Sequence, residues 1–302
     1  MHYYDSLKDL IGHTPLLKLN HSGFPDSVNV FAKLELFNPA GSVKDRTGTY
    51  MLRDAQRRGL LKKGSTIIEA TAGNTGLGIA FAALNLGYRV IFVVPLKFSQ
   101  EKQSLMKALG AEIINTPREE GMLGAERKAE ELLSVIENSV SLKQFHNQAN
   151  PLAHYETTGP EIYADLDGHI DYLVAGAGSG GTYTGVVRYL KEQNPKIQGV
   201  LADPEGSTMG GGEHHDYNIE GIGNDFIADT MDMSLVDKVI KVGDSAAFSE
   251  TRSLAGNEGV IAGTSSGAAL SAARALVEGG AKGNIVVIFP DRGDRYFSKG
   301  LF

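Results

Sequence analysis

The sequence predicts an α/β protein of two lobes, each a mostly parallel sheet covered by helices, and three observations carry that expectation. Short apolar runs bounded by glycine alternate with longer amphipathic stretches from about residue 28 onward, the pattern of parallel strands buried on both faces. Several of these runs pass straight into glycine- or serine-rich turns that open helices. A chain of 302 residues is long enough for two cores.

In order, the apolar runs predict strands at Val28–Leu34, Thr66–Ala70, Arg89–Val94, Glu112–Asn115, Tyr172–Ala175, Gly199–Ala202 and Ile285–Phe289. Helical spacing of apolar residues predicts helices at Gly76–Leu86, Gln100–Leu109, Ala125–Glu137, Thr182–Glu192 and Ser266–Glu278. There is no internal repeat of fixed period and no low-complexity linker. The division falls near Gln148-Ala149-Asn150-Pro151, where a strand-like segment gives way to a polar, proline-marked helix start. The lobes are then 1–147 and 148–302, with the first ~35 residues packing on the other lobe and a ligand cleft between them.

Composition narrows the function. The charged fraction of 22% and hydrophobic fraction of 42% are those of an ordinary globular protein. A net charge of -7 without a basic stripe argues against nucleic acid as a partner. The first residues lack the pattern of a secretory signal, and no apolar run reaches the ~18 residues of a membrane span. A cytoplasmic location is expected. Cysteine is absent, which excludes disulfides, thiolate metal sites and a cysteine nucleophile. No metal site is expected: His214-His215 sits beside Glu213 and Asp216 in a glycine-rich loop, and adjacent residues rarely converge on one ion.

Four segments carry chemistry. In Asn38-Pro39-Ala40-Gly41-Ser42-Val43-Lys44-Asp45-Arg46 a turn opens into a helix. A lysine at that end meets the positive pole of the helix dipole, which eases the route to a neutral, nucleophilic amine and makes Lys44 a Schiff-base candidate. Alone, the segment favours solvated first-turn charges, with Ser42 as N-cap and Asp45 closing a capping box. The second, Gly176-Ala177-Gly178-Ser179-Gly180-Gly181-Thr182, follows an apolar run and opens a helix. Glycines there let backbone approach an anion, and first-turn amides point at it, so this is a phosphate cradle.

The same segment reads Gly-x-Gly-x-x-Gly, and Asp203 closes the next apolar run, which keeps a nicotinamide-dependent oxidoreductase as an alternative. The third segment, Glu69-Ala70-Thr71-Ala72-Gly73-Asn74-Thr75-Gly76, gathers hydroxyls, a side-chain amide and helix-start amides that suit a substrate carboxylate. Asn74 reads equally as an N-cap. The fourth, Ala262-Gly263-Thr264-Ser265-Ser266-Gly267, is again a small-residue turn into a helix, where either serine serves as a cap.

Together these segments resemble the cysteine synthase and cystathionine β-synthase group of β-family pyridoxal-phosphate enzymes. The likeness runs from Ile11-Gly12-His13-Thr14-Pro15-Leu16 to Pro290-Asp291-Arg292-Gly293-Asp294-Arg295-Tyr296. The resemblance implies the fold type II architecture, with pyridoxal 5'-phosphate between the lobes, and a homodimer. It implies that Lys44 carries the cofactor as a Schiff base and moves the α-proton, and that Asn74 bonds the ring oxygen. It further implies that Gly178, Ser179, Gly180, Gly181 and Thr182 hold the phosphate, that Ser265 meets the pyridine nitrogen, and that Thr71, Ala72, Thr75 and Gln144 bind the substrate carboxylate.

The implied reaction is β-replacement or β-elimination on cysteine, serine or O-acetylserine through an aminoacrylate that a thiol or sulfide attacks. Cystathionine, lanthionine with hydrogen sulfide, and cysteine all stand open as products. Asp232 is a candidate base on the incoming thiol, or a cap. Ala72 stands where many cysteine synthases carry a hydroxyl, and Glu220-Gly221-Ile222-Gly223-Asn224-Asp225-Phe226-Ile227 looks like the cystathionine β-synthase branch. Haem dependence and regulation by an adenosyl ligand are not expected.

Overall fold

The computed structural model describes residues 3–71, 73–96 and 99–302. It divides into two compact units, one of Met1–Ile11 with Lys44–Asn150 and one of Gly12–Val43 with Pro151–Phe302. Its strands, in chain order, are β1 Leu16–Lys18, β2 Val28–Leu34, β3 Thr66–Ala70, β4 Arg89–Pro95, β5 Glu112–Thr116, β6 Ser139–Val140, β7 Tyr172–Gly176, β8 Gln198–Pro204, β9 Lys238–Val242 and β10 Gly283–Phe289. The helices are α1 Lys44–Arg57, α2 Asn74–Ala83, α3 Gln100–Ala108, α4 Gly121–Val135, α5 Ala149–Ala153, α6 Gly159–Asp165, α7 Gly181–Gln193, α8 Asp244–Glu258 and α9 Thr264–Glu278, with a π turn at His154–Thr158 between α5 and α6.

The first unit holds a 4-stranded sheet in the order β5-β4-β3-β6, parallel throughout. Alternate residues of a strand point to opposite faces, and β3 uses both. Ile67 packs with Leu77 and Ile79 of α2 and Met51 of α1, while Ile68 packs with Ala125 and Ala129 of α4. Lys8 fastens the N-terminal segment to this unit: its ammonium donates to the carbonyls of Ala82 and Leu84 at 2.8 and 2.7 Å, where a helix end leaves acceptors unpaired.

The second unit holds a 6-stranded sheet in the order β1-β2-β10-β7-β8-β9. Only β1 runs antiparallel to its neighbour. α8 and α9 pack on one face through Ala247, Leu254, Leu270 and Leu276. α6 and α7 pack on the other through Ile162, Val186 and Leu190. Both sheets are thus mostly parallel and covered on both faces, the α/β class expected from the sequence. Lys33, fully buried on β2, is satisfied by the Thr14 carbonyl at 2.7 Å and by Glu161 at 3.0 Å, as an interior ammonium requires.

The expected strands recur with ends displaced by a residue or two, and α2 begins at Asn74 rather than Gly76. β1, β6, β9, α6 and α8 go beyond the expectation. Among the described residues no helix is long and apolar enough to cross a membrane.

Candidate active site

In the first unit, Lys44 is the first residue of α1. The segment before it is pinned within the second unit, where the Val43 amide donates to the Pro290 carbonyl at 2.8 Å and Ser42 forms an isolated antiparallel bridge with Asp291. Ser42 is therefore part of a bridge that leads into the helix.

Two glycines set α1 against α2. A Cβ added to Gly48 would lie 2.4 Å from the Gly78 carbonyl carbon, and one added to Gly78 would lie 2.1 Å from the Lys44 carbonyl oxygen. No side chain fits at either position, so the two backbones meet directly. Gly78 sits one turn beyond Asn74, so the contact ties the start of α1 to the turn that opens α2.

That turn holds buried Thr71 and Thr75. Gly73 occupies the N-cap position of α2 and offers no side chain, so Asn74 is the first helical residue and not the cap. Ala72 lies outside the described residues. The Thr75 hydroxyl donates to Gln144 Oε1 at 2.6 Å. The Gln144 carbonyl accepts from Asn150 Nδ2 at 2.9 Å, and Asn150 Oδ1 accepts from the Thr47 hydroxyl of α1 at 3.3 Å. Thr71, Asn74, Thr75, Gln144 and the start of α1 thus form one connected constellation, with hydroxyl, amide and helix-start donors that fit a carboxylate.

In the second unit, β7 ends at Gly176 and α7 starts at Gly181, with Gly180 at φ +80 in the N-cap position. A Cβ on Gly180 would lie 2.4 Å from that of Met231, and one on Gly178 would lie 2.7 Å from the Gly221 carbonyl oxygen. Glycine is required because the 221–231 segment presses on the turn. That segment also fastens it: Asn224 Nδ2 donates to the Gly178 carbonyl at 2.6 Å, Gly223 N to the Ala177 carbonyl at 2.7 Å, and the Thr230 hydroxyl to the Ser179 carbonyl. Asn224 thus commits its side-chain amide to this turn, while its neighbour Asp225 is exposed.

The cradle is chemically suited to a phosphate. No carboxylate occurs between Gly176 and Thr184, and the first-turn amides of the 13-residue α7 have no intrahelical acceptor. The Thr182 hydroxyl lies 3.2 Å from Nε2 of buried His154, whose Nδ1 meets the Thr158 hydroxyl at 2.9 Å. Thr182 is thereby oriented by a histidine carried inward by the π turn at His154–Thr158, which has no sequence signature.

Ser265 is the second residue of α9, buried, with Gly263 as the N-cap, so it is not the cap. Its neighbour Ser266 carries a buried hydroxyl without a protein partner. Asp291 backs this helix start: its carbonyl accepts from Gly263 N at 3.0 Å, and its carboxylate accepts from the Tyr296 hydroxyl at 2.6 Å.

Asp232 caps a short 3-10 turn, accepting from the Ser234 hydroxyl and amide, and pairs with Arg188 at 3.2 Å. The Ser234 hydroxyl and the Arg188 guanidinium hold its carboxyl below the usual aspartate range, which makes it a weak base. Asp203, which a dinucleotide reading needs on a ribose, is buried and accepts from Lys241 Nζ at 2.5 Å and Gly210 N at 2.9 Å. Both bonds fall on Oδ2, and Oδ1 is buried without a partner, so the carboxylate is sealed inside the protein rather than presented to a ribose, which counts against the nicotinamide alternative. His214 and His215 are exposed, and among the described residues no group of three or more histidine, cysteine, aspartate or glutamate side chains is placed to hold a metal.

The chain is 50% identical to the O-acetylserine dependent cystathionine beta-synthase of Bacillus subtilis (strain 168) over 297 residues, covering 98% of this chain and 97% of the relative. It is 45% identical to a cysteine synthase of Helicobacter pylori (strain J99 / ATCC 700824) over 300 residues, 98% of each. The crystal structure of a hydrogen sulfide-producing enzyme from Fusobacterium nucleatum superposes with a TM-score of 0.93 at 37% identity, over 97% of this chain and 100% of the other. Residues 7–291 match the family described as pyridoxal-phosphate dependent enzymes, and with that match and a 50% identical relative along nearly its whole length, the chain belongs to that family.

Proposed function

We propose that this enzyme catalyses β-replacement on a small L-amino acid, with O-acetylserine as the donor and homocysteine as the thiol that replaces acetate. The observation that carries the reading is the backbone contact of Gly48 and Gly78, which sets the first residue of α1, Lys44, against the helix whose opening turn holds Asn74 and Thr75. The 50% identity to an O-acetylserine dependent cystathionine beta-synthase supports the choice of donor and thiol.

Pyridoxal phosphate, when bound, supplies an electron sink conjugated to the substrate α-carbon. Gly178, Ser179, Gly180, Gly181 and Thr182 would hold its phosphate through amides and hydroxyls, Asn74 its ring oxygen, and Ser265 its pyridine nitrogen. A neutral serine in that last place leaves the nitrogen unprotonated, which favours prompt loss of a β-substituent over long-lived charge on the α-carbon. With the cofactor bound, Lys44 Nζ would be its point of covalent attachment and the base that takes the substrate α-proton. Thr71, Ala72, Thr75 and Gln144 hold the substrate carboxylate and so fix which proton faces Lys44.

The Cβ–O bond then breaks and acetate leaves with its electron pair. The thiol sulfur bonds to the β-carbon as its proton is lost, and Lys44 returns a proton to the α-carbon. Acetate leaves without an acid, which suits a site whose side chains are hydroxyls and amides.

Product analysis tests this. Homocysteine with O-acetylserine is expected to give cystathionine and acetate, and homocysteine with serine little product. Failure to consume O-acetylserine with either homocysteine or sulfide overturns the proposal. A second reading, in which cysteine is the donor and hydrogen sulfide leaves, is favoured by the likeness to the hydrogen sulfide-producing enzyme; cysteine alone then gives sulfide and lanthionine. We also propose a homodimer, supported by the family resemblance, with sedimentation of the holoenzyme as its test.

A further inference from the structure

Glu69 is a buried carboxylate next to the end of strand β3, beside Ile67 and Ile68 and two residues before Thr71. Burial of such a group demands donors, and three converge on its Oε1. They are the Ser141 hydroxyl at 3.0 Å, the Leu142 amide, and the Lys143 amide at 3.1 Å. These donors belong to the turn that leads from β6 into Gln144. Lys143 sits there at φ 55, a left-handed conformation that a lysine holds only when its surroundings impose it. The turn is closed from its far side by Asn147, whose amide donates to the Lys143 carbonyl at 2.9 Å and whose Nδ2 donates to the Leu142 carbonyl at 3.1 Å. Gln144 follows, with its Oε1 2.6 Å from the Thr75 hydroxyl.

We propose that Glu69 is a positioning residue of the substrate site: its carboxyl oxygen holds the Ser141–Lys143 turn and through it sets where Gln144 meets Thr75. The strand that delivers Thr71 thereby also locates Gln144, across more than seventy positions of sequence, by one acceptor atom. This rests on the reading of Thr71, Thr75 and Gln144 as the carboxylate site.

The test uses holoenzyme with L-alanine as the probe, because it carries the α-carboxylate and no leaving group. Its dissociation constant is read from the cofactor absorbance, alongside KM and kcat for the donor and the affinity of apoenzyme for pyridoxal phosphate. Glu69→Leu is expected to raise the L-alanine dissociation constant and the donor KM about tenfold, with kcat and cofactor affinity within about threefold of the parent. Glu69→Gln keeps an acceptor oxygen in place and is expected to stay within about threefold throughout. Ser141→Ala removes one donor only and is expected to give a smaller rise of the same sign, which serves if the leucine variant does not fold.

Unchanged L-alanine affinity in Ser141→Ala and Glu69→Leu overturns the proposal. So does a Glu69→Gln defect as large as that of leucine, or a leucine defect that falls on cofactor affinity. Thr75→Val and Gln144→Ala separate the underlying reading: if they leave L-alanine affinity at the parent value, the carboxylate assignment fails whatever Glu69 does.

Discussion

The carbonyl oxygen of Lys44 abuts Gly78 so closely that a Cβ on that glycine would stand 2.1 Å away. Backbone cannot yield as the far end of a flexible side chain can, so Gly78→Ala must force α1 and α2 apart. We expect a destabilisation of roughly 1–3 kcal/mol, the usual range for overpacking, together with weaker cofactor retention as Lys44 shifts. Gly256→Ala on the exposed side of α8, where an added Cβ meets nothing, is the control and is expected to stabilise by about 0.5–1 kcal/mol. Thermal unfolding of both variants checks the pair; equal behaviour would mean that the helices slide freely.

Tyr296 and Asp291 are both buried, and the tyrosine hydroxyl is a donor to the carboxylate. Burial, with the negative charge of Asp291 beside it, pushes that phenol well above its ordinary value, so it stays a donor at all working pH values. Tyr296→Phe keeps the ring and removes the donor. The expected cost is about 1–3 kcal/mol, the penalty of a buried group losing its partner, read as a Tm lower by several degrees. Because the Asp291 carbonyl also holds Gly263 at the start of α9, cofactor affinity should fall in the same variant. An unaltered Tm would show that Asp291 finds another donor.

Much of this architecture was legible in the residue pattern, and the part that was not has a physical explanation. β7 and β10 are central strands, so both faces are apolar and the runs stand out. β1, β6 and β9 are edge strands, as is β5, whose Ile113-Ile114 pair still marked it; β6 spans two residues, and β1, β6 and β9 are each only partly buried, so no sustained apolar run marks them. α8 buries only Ala247, Thr251 and Leu254, too narrow a stripe among polar residues to read as periodic. Within the candidate site, Lys44, Thr75 and the glycine turn were readable because their local spacing carries the chemistry. Glu69 was visible as a charge inside an apolar strand, but its donors lie too far along the chain for any local pattern to supply them. His154 was obscured in the same way, by a π turn that spacing does not announce.

Asn224 and Gly178 are linked by an amide donating to a carbonyl at 2.6 Å. Asn224→Ala removes the donor and frees the cradle turn, and we expect the affinity of apoenzyme for pyridoxal phosphate to fall about tenfold. Asn224→Asp should be worse, because a carboxylate cannot donate to that carbonyl and adds negative charge beside a phosphate site. Fluorescence titration with the cofactor checks the order, parent tighter than alanine, and alanine tighter than aspartate. An aspartate variant that binds as tightly as the parent would remove Asn224 from the support of the cradle.

Glu69 gives the stability a pH dependence of predictable sign. Burial drives its carboxyl up from an ordinary 4.5 to about 7, against the opposing pull of the Leu142 amide, the Ser141 hydroxyl and the Lys143 amide. In the unfolded chain the group releases its proton near 4.5, whereas in the folded chain it keeps it to about 7. The folded state therefore binds the extra proton across that window, and stability must decline as pH rises through it. The full effect, on the order of 3 kcal/mol, is present below the unfolded value and lost above the folded one. Glu69→Gln cannot titrate, so its unfolding free energy should be flatter between those limits. Urea unfolding of parent and variant across pH 4.5 to 7 measures the difference. Parallel curves would mean that the carboxyl ionises at its ordinary value and that the three donors on Oε1 outweigh the loss of water.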